Sequence, residues 1–433
     1  MSSDSGNKEV TRSARLLGGI GEAFGDRNFR IHTIGSVISW LSFFVQLVAV
    51  SWTTWQLTHS TTWLAVIALL DIAPNLIFLP LGGALADRVD RVRIVAITHI
   101  LALLQALALA VLAYGNHLTI GILAVLVFLH GLIHSFSIPA LYGMLPRFIA
   151  RPRLASAIAV NAAYTQFAVF AGPAAAGWLI QHYGVAMAFA SNVAGYAIYL
   201  ATLFSLRMPA DYQPQPRSGR SVWGDLIDGA RYICGHRGIA TMLILMLISD
   251  VLTRPVSQML PAYAEQMLGR GIDGMSMLLA GIGFGATLAA LWLAHGGAKG
   301  ATPQRVLWAF LAEFLAIGAL MLTHHLAAAL LAIIAYGMAS EICATGTVSL
   351  TQLAVSDAQR GRVMSIQFLL RRLAGGGGTY VVGAVADRHE IQTPLLVAAG
   401  IGFSCWLYLF YRRKWIGAAF QQKEQPLTAQ SGA

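Results

Sequence analysis

The chain has 433 residues, of which 57% are hydrophobic and only 11% are charged, and its formal net charge is +10. Soluble domains carry about 25% charged residues, so this composition excludes an ordinary soluble protein and predicts a helical protein that crosses a membrane many times. The first 30 residues are polar and lack a continuous apolar segment, so they do not resemble a secretory signal peptide. The basic residues lie mostly in short connecting segments, which argues against nucleic-acid binding.

Apolar segments long enough to cross a bilayer, about 20 residues each, recur twelve times along the chain. We expect an all-α multi-pass membrane protein whose spans form two six-helix bundles, over 31–207 and 238–413. A cytoplasmic arm over 1–30, a linker with an amphipathic helix over 208–237 and a cytoplasmic tail over 414–433 complete the predicted organisation. The predicted spans are 31–57, 62–86, 93–114, 119–141, 156–180, 185–207, 239–264, 275–296, 304–323, 326–350, 363–386 and 392–413.

The distribution of positive charge predicts the orientation of these spans. Lys and Arg concentrate in the cytoplasmic loops of membrane proteins. With a cytoplasmic N-terminus, all but five of the 29 Lys and Arg residues fall on the cytoplasmic side, and the exceptions are Arg254, Arg270, Arg371, Arg372 and Arg388. An even number of spans returns the C-terminus to the same side, so we expect both termini in the cytoplasm and a location in a bacterial-type inner membrane.

A charged segment separates the second and third spans and has the pattern Gly-x-x-x-Asp-Arg-x-x-Arg-x-Arg. It begins at Gly83 and contains Asp87, Arg88 and Arg91. This pattern resembles the signature of major facilitator superfamily transporters. Gly is usual at the position of Asp90, and an Asp there is typical of the transmembrane secretion-effector branch, which contains enterobactin and macrolide exporters.

The resemblance implies roles for this segment, which we call the gating turn. Gly83 would let the helices pack closely or the chain turn, because glycine has no Cβ. Asp87 and Arg91 would belong to a charge-relay latch that stabilises the outward-open state. The alternative is a solvated loop whose arginines only set topology.

Two other segments carry the same resemblance. Gly172 and Pro173, with Gly177 in the same span, partly match the Gly-Pro motif of antiporters, although the second of its paired glycines is missing. The resemblance implies an interface that limits leak, and the alternative is ordinary packing of small residues. The second segment, Arg360-Gly361-Arg362, is similar to the Arg-Gly-Arg turn of the secretion-effector branch.

A weak internal repeat supports the division into two halves. Arg153-Leu154-Ala155-Ser156 precedes the fifth span, and Arg362-Val363-Met364-Ser365 precedes the eleventh, 209 residues later. Parallel six-helix repeats are the expected internal symmetry of major facilitator transporters.

Ionisable residues inside spans are candidates for coupling or substrate binding, because a charge at the bilayer centre costs about 2.5–3.5 kcal/mol on insertion scales. Asp71 lies near mid-depth of the second span, with Asn75 four residues later on the same face. Asp250 and Arg254 have the same spacing, so they either neutralise one another or form a switchable pair. A structural hydrogen bond to a facing helix is the alternative for Asp71.

Four further residues complete the candidate list. Glu341 lies in a stretch of small and apolar residues. Arg371 is adjacent to Arg372 and the two cannot share one helix face, so we expect one of them to face a cavity or Glu341 and the other to point toward the inner interface. His130 and His134 lie four residues apart and favour a polar cavity wall over a metal site, because no third ligand is evident. We expect Glu313, in the ninth span, to be peripheral.

These observations predict a proton-coupled exporter of a small organic molecule, such as a siderophore or a hydrophobic drug, working by alternating access. We expect no metal and no cofactor, with the proton gradient as the energy source. We also expect a monomer whose partners are the substrate, protons and the lipid bilayer. A uniporter or an importer of a metabolite is the nearest alternative. A membrane enzyme or lipid scramblase is the least supported, because the sequence has no nucleotide-binding loop.

Overall fold

The computed structural model describes Phe24 and residues 26–144, 154–206, 230–296, 302–355 and 357–411. The described residues form helices and contain no strand. In chain order the helices are α1 (Arg27–Thr58), α2 (Thr61–Arg88), α3 (Arg91–Tyr114), α4 (Ile120–Tyr142), α5 (Leu154–Tyr183), α6 (Val185–Phe204), α7 (Arg237–Gln258), α8 (Leu260–Gln266), α9 (Gly271–Gly296), α10 (Pro303–Met321), α11 (Leu326–Ala354), α12 (Asp357–Ala386) and α13 (Gln392–Tyr411).

The twelve predicted spans correspond to α1–α7 and α9–α13, and α8 is a short helix that completes the predicted seventh span. Within the described residues, ten helices are long and apolar enough to cross a membrane. The two remaining long helices, α5 and α12, have 30 residues each. They contain more small and polar residues, and α12 includes the adjacent Arg371 and Arg372, so their hydropathy is lower although their length suffices.

Short polar side chains begin several helices, as capping predicts. The Asp26 carboxylate accepts a hydrogen bond from the Asn28 amide at 2.8 Å, and Ser60 accepts from the Trp63 amide at 3.2 Å. Thr119 and Thr302 cap α4 and α10 in the same way. These caps satisfy amides that would otherwise lack partners where each helix begins.

The gating turn is shorter than the sequence suggested. Helix α2 continues through Gly83 to Arg88, and only Val89 and Asp90 separate it from α3. The side chain of Asp90 caps α3 and accepts from the Val92 amide at 3.4 Å. Asp87 and Arg88, the first charged residues of the motif, therefore belong to the last helical turn of α2. No proline follows Pro80 to interrupt the helix before that point.

The chain divides into two compact units. Unit 1 contains residues 1–218 and 269–280, and unit 2 contains residues 219–268 and 281–433. The predicted arm over 1–30, tail over 414–433 and amphipathic helix within 208–237 lie wholly or largely outside the described residues, so this part of the domain organisation stays a prediction.

Close contact between α2 and α4 organises part of unit 1. A Cβ added to Gly131 on α4 would overlap the Asp71 carbonyl, and one added to Gly82 on α2 would overlap the Ser135 carbonyl. Gly83, in contrast, faces open space. The prediction that Gly83 allows close packing was wrong, because the close contact falls on Gly82, whose position is rotated by about 100° around the helix.

Unit 2 repeats this arrangement about 206 residues later. A Cβ at Gly337 on α11 would overlap the Ile282 carbonyl of α9, as Gly131 meets the carbonyl of Asp71. Gly378 on α12 and Gly172 on α5 are also 206 residues apart, and each packs tightly against another helix of its own unit, at Val251 and Phe44. The equal spacing of these contacts supports the internal repeat that the sequence suggested only weakly.

We predict that Gly131→Ala destabilises the protein by about 1–3 kcal/mol, the usual cost of overpacking, because its Cβ meets backbone that cannot rotate away. Thermal unfolding of the purified protein in detergent measures the effect. Gly83→Ala is the matched control and should leave the unfolding midpoint unchanged or slightly raised. Equal loss of stability in the two variants would contradict the α2–α4 contact.

Candidate functional site

A partly open cleft lies within unit 1, between helices α1, α3, α4 and α6. Its wall combines aromatic rings, imidazoles and hydroxyls, a lining typical of sites that bind small organic molecules. The lining residues are Ser36, Ser39, Trp40, Phe43, Thr98, His99, Ala102, His130, Ile133, His134, Ser137, Leu141, Tyr196 and Tyr199.

Asp71 and His130 form a pair between α2 and α4. Their Oδ1 and Nδ1 atoms are 2.9 Å apart, and the side chains are 31% and 11% exposed. The Gly131 contact fixes this geometry because it places α4 directly against the Asp71 backbone. The rings of His130 and His134 both stack with Phe43 of α1. His130 therefore lines the cleft and also contacts a carboxylate.

Asn75 supports the backbone at this position rather than the carboxylate. Its Nδ2 donates to the Asp71 carbonyl at 3.0 Å, and its buried Oδ1 has no hydrogen-bond partner among the described residues. The i, i+4 spacing in the sequence therefore produced a side chain–backbone contact. The predicted role of Asn75 in substrate binding stays a prediction.

Two further histidines, which the sequence analysis missed, lie on the α3 side of the same unit. His99 stacks on Tyr199 with ring centroids 4.5 Å apart, and its Nδ1 lies 2.8 Å from the Val95 carbonyl. His32 on α1 contacts the edge of the Tyr199 ring. Both histidines lie in predicted spans or at their edge, but neither has a second histidine four residues away, so the spacing that selected His130 and His134 did not select them.

A network of buried amides joins the helices of unit 1. The Asn192 side chain on α6 donates to Gln46 Oε1 at 2.7 Å and accepts from Ser42 at 3.0 Å. Gln46 in turn donates to Gln105 of α3 at 3.3 Å, and Gln105 donates to the Leu126 carbonyl of α4 at 3.2 Å. The network links α1, α3, α4 and α6.

In unit 2 the main partner of Asp250 is Arg371 of α12. The guanidinium donates twice to the carboxylate, with Nε 2.9 Å from Oδ2 and Nη2 3.3 Å from Oδ1. Arg254 is 51% exposed and approaches Asp250 only at 3.5 Å. The sequence prediction that Asp250 and Arg254 neutralise one another was therefore incomplete, because a bidentate guanidinium on a facing helix is the stronger partner.

Glu341 and Glu313 also differ from the sequence expectations. Glu341 accepts a hydrogen bond from Thr345 on its own helix, while Arg371, expected to face Glu341 or a cavity, binds Asp250. Glu313 is fully buried, at 0% exposure. The prediction of a peripheral Glu313 was wrong, because its side chain points from α10 toward α7.

Arg91 holds the gating turn against the end of α4. Its guanidinium donates to the Ala86 carbonyl at 3.2 Å and to the Gly143 carbonyl at 2.7 Å. Arg88 is exposed, and the Asp87 side chain lies outside the described part of the structure. The contacts of Arg91 fit an anchoring role within unit 1, and the predicted latch stays a prediction.

The antiporter-like motif packs closely inside unit 1. A Cβ at Gly172 would overlap Phe44 of α1, and one at Gly177 would come within 2.5 Å of Ser276. Pro173 lies inside α5. These contacts account for the small residues, and the leak-limiting role implied by the resemblance stays a prediction. Among the described residues, no three His, Cys, Asp or Glu side chains form a group that could hold a metal ion.

We predict that Asp250→Asn destabilises unit 2 by about 3–5 kcal/mol, because it leaves the mostly buried Arg371 without its counter-charge. The double variant Asp250→Asn/Arg371→Gln should recover part of that loss. Arg254→Gln is the control and should cost under about 1 kcal/mol, as exposed pairs do. Thermal unfolding of the four proteins distinguishes the partners, and an Arg254→Gln loss as large as that of Asp250→Asn would contradict the assignment.

Comparison with known proteins places this geometry in a family. The chain is 24% identical over 383 residues to the enterobactin exporter EntS of Shigella boydii serotype 4 (strain Sb227), covering 87% of this chain and 88% of that protein. It is 25% identical over 385 residues to the enterobactin exporter EntS of Escherichia coli O81 (strain ED1a), with the same coverage.

Solved transporter structures share the fold. The nucleoside transporter NupG matches with a TM-score of 0.67 at 14% identity, covering 92% of this chain and all of that one. A POT family transporter in complex with a thioalcohol-conjugated peptide matches with a TM-score of 0.71 at 12% identity, covering 90% and 96%. Residues 22–424 match the transmembrane secretion effector family, and the protein therefore belongs to this family of major facilitator transporters.

Proposed function

We propose that the protein is a secondary active exporter of a small organic molecule, driven by protons that move inward. The observation that carries the proposal is the double position of His130, which lines the cleft and contacts Asp71 at 2.9 Å. A substrate in the cleft and a proton on the Asp71–His130 pair therefore act on the same side chain. Such a shared contact is a physical basis for exchange of one for the other.

In the proposed cycle, the charge of the pair controls the wall of the cleft. With Asp71 ionised, it holds His130 by a charge-assisted hydrogen bond and fixes one wall of the cleft for substrate. Protonation of Asp71 from outside weakens that bond and releases the wall, and substrate leaves. Loss of the proton to the cytoplasm restores the pair and prepares the cleft for the next molecule.

The lining of the cleft supports an aromatic substrate with hydrogen-bonding groups. The cleft is lined by the aromatic side chains of Trp40, Phe43 and Tyr196 and by the hydroxyl-bearing side chains of Ser36 and Ser137. Aromatic pairs stabilise by about 0.5–1.5 kcal/mol beyond burial, so aromatic rings in a substrate would gain stabilisation against this wall. The names of the relatives support export, and enterobactin is the first probe to use. A siderophore or a hydrophobic drug remains the proposed substrate class.

Unit 2 supplies the other proposed coupling groups. Separating Asp250 from Arg371 would leave two charges without partners, which is costly away from water. The protonation of Asp250 and the packing of α7 against α12 therefore depend on one another. Glu341 is a further candidate. We propose a cytoplasmic-membrane protein with both termini in the cytoplasm, as the distribution of Lys and Arg predicts.

We predict that Asp71→Asn lowers export at least about tenfold, equivalent to about 1.4 kcal/mol, because the amide cannot exchange a proton. Enterobactin retained by cells that express each variant measures export. Glu265→Gln removes the same charge from an exposed position and should export within about twofold of the wild type. Size-exclusion chromatography confirms that both variants are folded.

Unchanged export by Asp71→Asn would contradict the coupling role. Export that persists after the pH gradient collapses would favour a uniporter, and uptake from the medium would favour an importer. Either result would replace the proposed direction or energy source while leaving the family assignment unchanged.

A further inference from the structure

Glu313 is a buried carboxylate that the proposed mechanism does not use. It lies on α10 at 0% exposure, opposite two hydroxyls of α7. Ser249 Oγ is 2.7 Å from its Oε2, and Thr253 Oγ1 is 2.9 Å from its Oε1. The two hydroxyls are one helical turn apart, so the carboxyl group faces a single stripe of α7.

The groups in direct contact with the Glu313 carboxyl are neutral. Tyr336 of α11 donates its hydroxyl to the Thr253 carbonyl at 3.0 Å, and Ser340 of the same helix lies close to the carboxylate. Phe310 and Phe314 flank it on α10 and are themselves buried. Gly402 of α13 packs on the Phe314 ring, so that helix presents no charge there.

The charged groups nearby are already engaged with one another. Asp250 follows Ser249 on α7, but its carboxylate binds Arg371 of α12, and Arg254 approaches that same carboxylate. Within the described part of the chain, no basic side chain forms an ion pair with Glu313. The titratable or charged groups that interact with Glu313 or with its immediate neighbours are Asp250, Arg254, Tyr336, Glu341, Cys343 and Arg371. Arg305 on α10 and Cys405, Tyr408 and Tyr411 on α13 lie on the same helices at other positions.

An ionised Glu313 in this position would be expensive. Removing a carboxylate from water costs several kcal/mol even after relaxation, and two hydroxyl hydrogen bonds to a charge return only about 1.5–3 kcal/mol each. A proton on Glu313 removes the charge and keeps both contacts. One of the two hydroxyls can donate to the C=O oxygen of the acid while the other accepts from its O–H.

We propose that Glu313 is a proton-binding site of unit 2 and that it carries a proton in the conformation seen here. Ser249 and Thr253 form the site, and neither the gating turn nor the unit 1 cleft contributes to it. Its protonation is independent of the proposed transport direction.

The position of α7 connects this site to the Asp250 pair. Residues 249 and 253 contact Glu313, while Asp250 contacts both Arg254 and Arg371. Successive residues of a helix are about 100° apart, since a turn has 3.6 residues, so a rotation of α7 changes both contacts together. After loss of its proton, the Glu313 carboxylate would attract the exposed Arg254 and compete with Asp250 for that guanidinium. This link to transport rests on the proposed function.

Infrared spectroscopy of the purified protein in lipid nanodiscs, without substrate, tests the protonation directly. We expect a carboxylic-acid C=O stretching band at neutral pH that is lost in Glu313→Gln and kept in Glu341→Gln, a matched change in the same unit. Ser249→Ala should keep the band and shift its position, because it removes one hydrogen bond to the acid. This second variant decides the question if Glu313→Gln does not fold.

A band that is unchanged in Glu313→Gln would overturn the assignment, as would an unshifted band in both Ser249→Ala and Thr253→Val. Loss of the band when sodium chloride replaces potassium chloride would also overturn it, because a sodium ion would then hold the site. None of these readouts depends on transport, so a failure of the proposed exporter function leaves them unaffected.

Discussion

The need to satisfy polar groups away from water explains most of the unusual contacts in this protein. A helix inside a bilayer satisfies its own backbone, but a charged or amide side chain needs a partner from another helix. Asp250 finds Arg371 on α12, Asp71 finds His130 on α4, and Asn192 finds Gln46 on α1. Each pair joins two helices that lie far apart in sequence, so the polar groups specify which helices pack together.

Small residues make these pairs geometrically possible. Gly131 brings α4 onto the Asp71 backbone, directly beside the residue that pairs with that carboxylate. Close approach of two helices at glycine is a common solution inside membranes. The same arrangement recurs at Gly337, 206 residues later, where α11 meets α9. The two units therefore share a packing rule, but the residue that meets the glycine differs: it is Asp71, paired with His130, in unit 1 and Ile282 in unit 2.

The sequence was sufficient for the fold and the family. The spans could be predicted from the lengths of the apolar segments, because bilayer thickness sets the length that a membrane-spanning helix needs. The family could be predicted from the short motifs at 83–93 and 360–362. Helix ends such as Ser60 and Thr119 were also within reach of sequence rules.

The partners of buried groups could not be predicted in the same way. The sequence shows neighbours along one helix, so it suggested Arg254 for Asp250, and for Asp71 it offered a hydrogen bond to a facing helix without identifying the residue. The structure selects Arg371 and His130, on helices that the linear spacing does not reveal. Glu313 illustrates the same limit, because the rotation of α10 about its own axis decides whether the side chain meets lipid or Ser249.

Transport by the purified protein in proteoliposomes tests the central claim most directly, namely that one site exchanges a proton for a substrate. Enterobactin flux is measured under a pH gradient imposed in one direction and then in the other. The account predicts that net flux runs opposite to the proton gradient and reverses with it, and that it vanishes when the gradient is abolished. A flux of equal size and direction under all three conditions would contradict it.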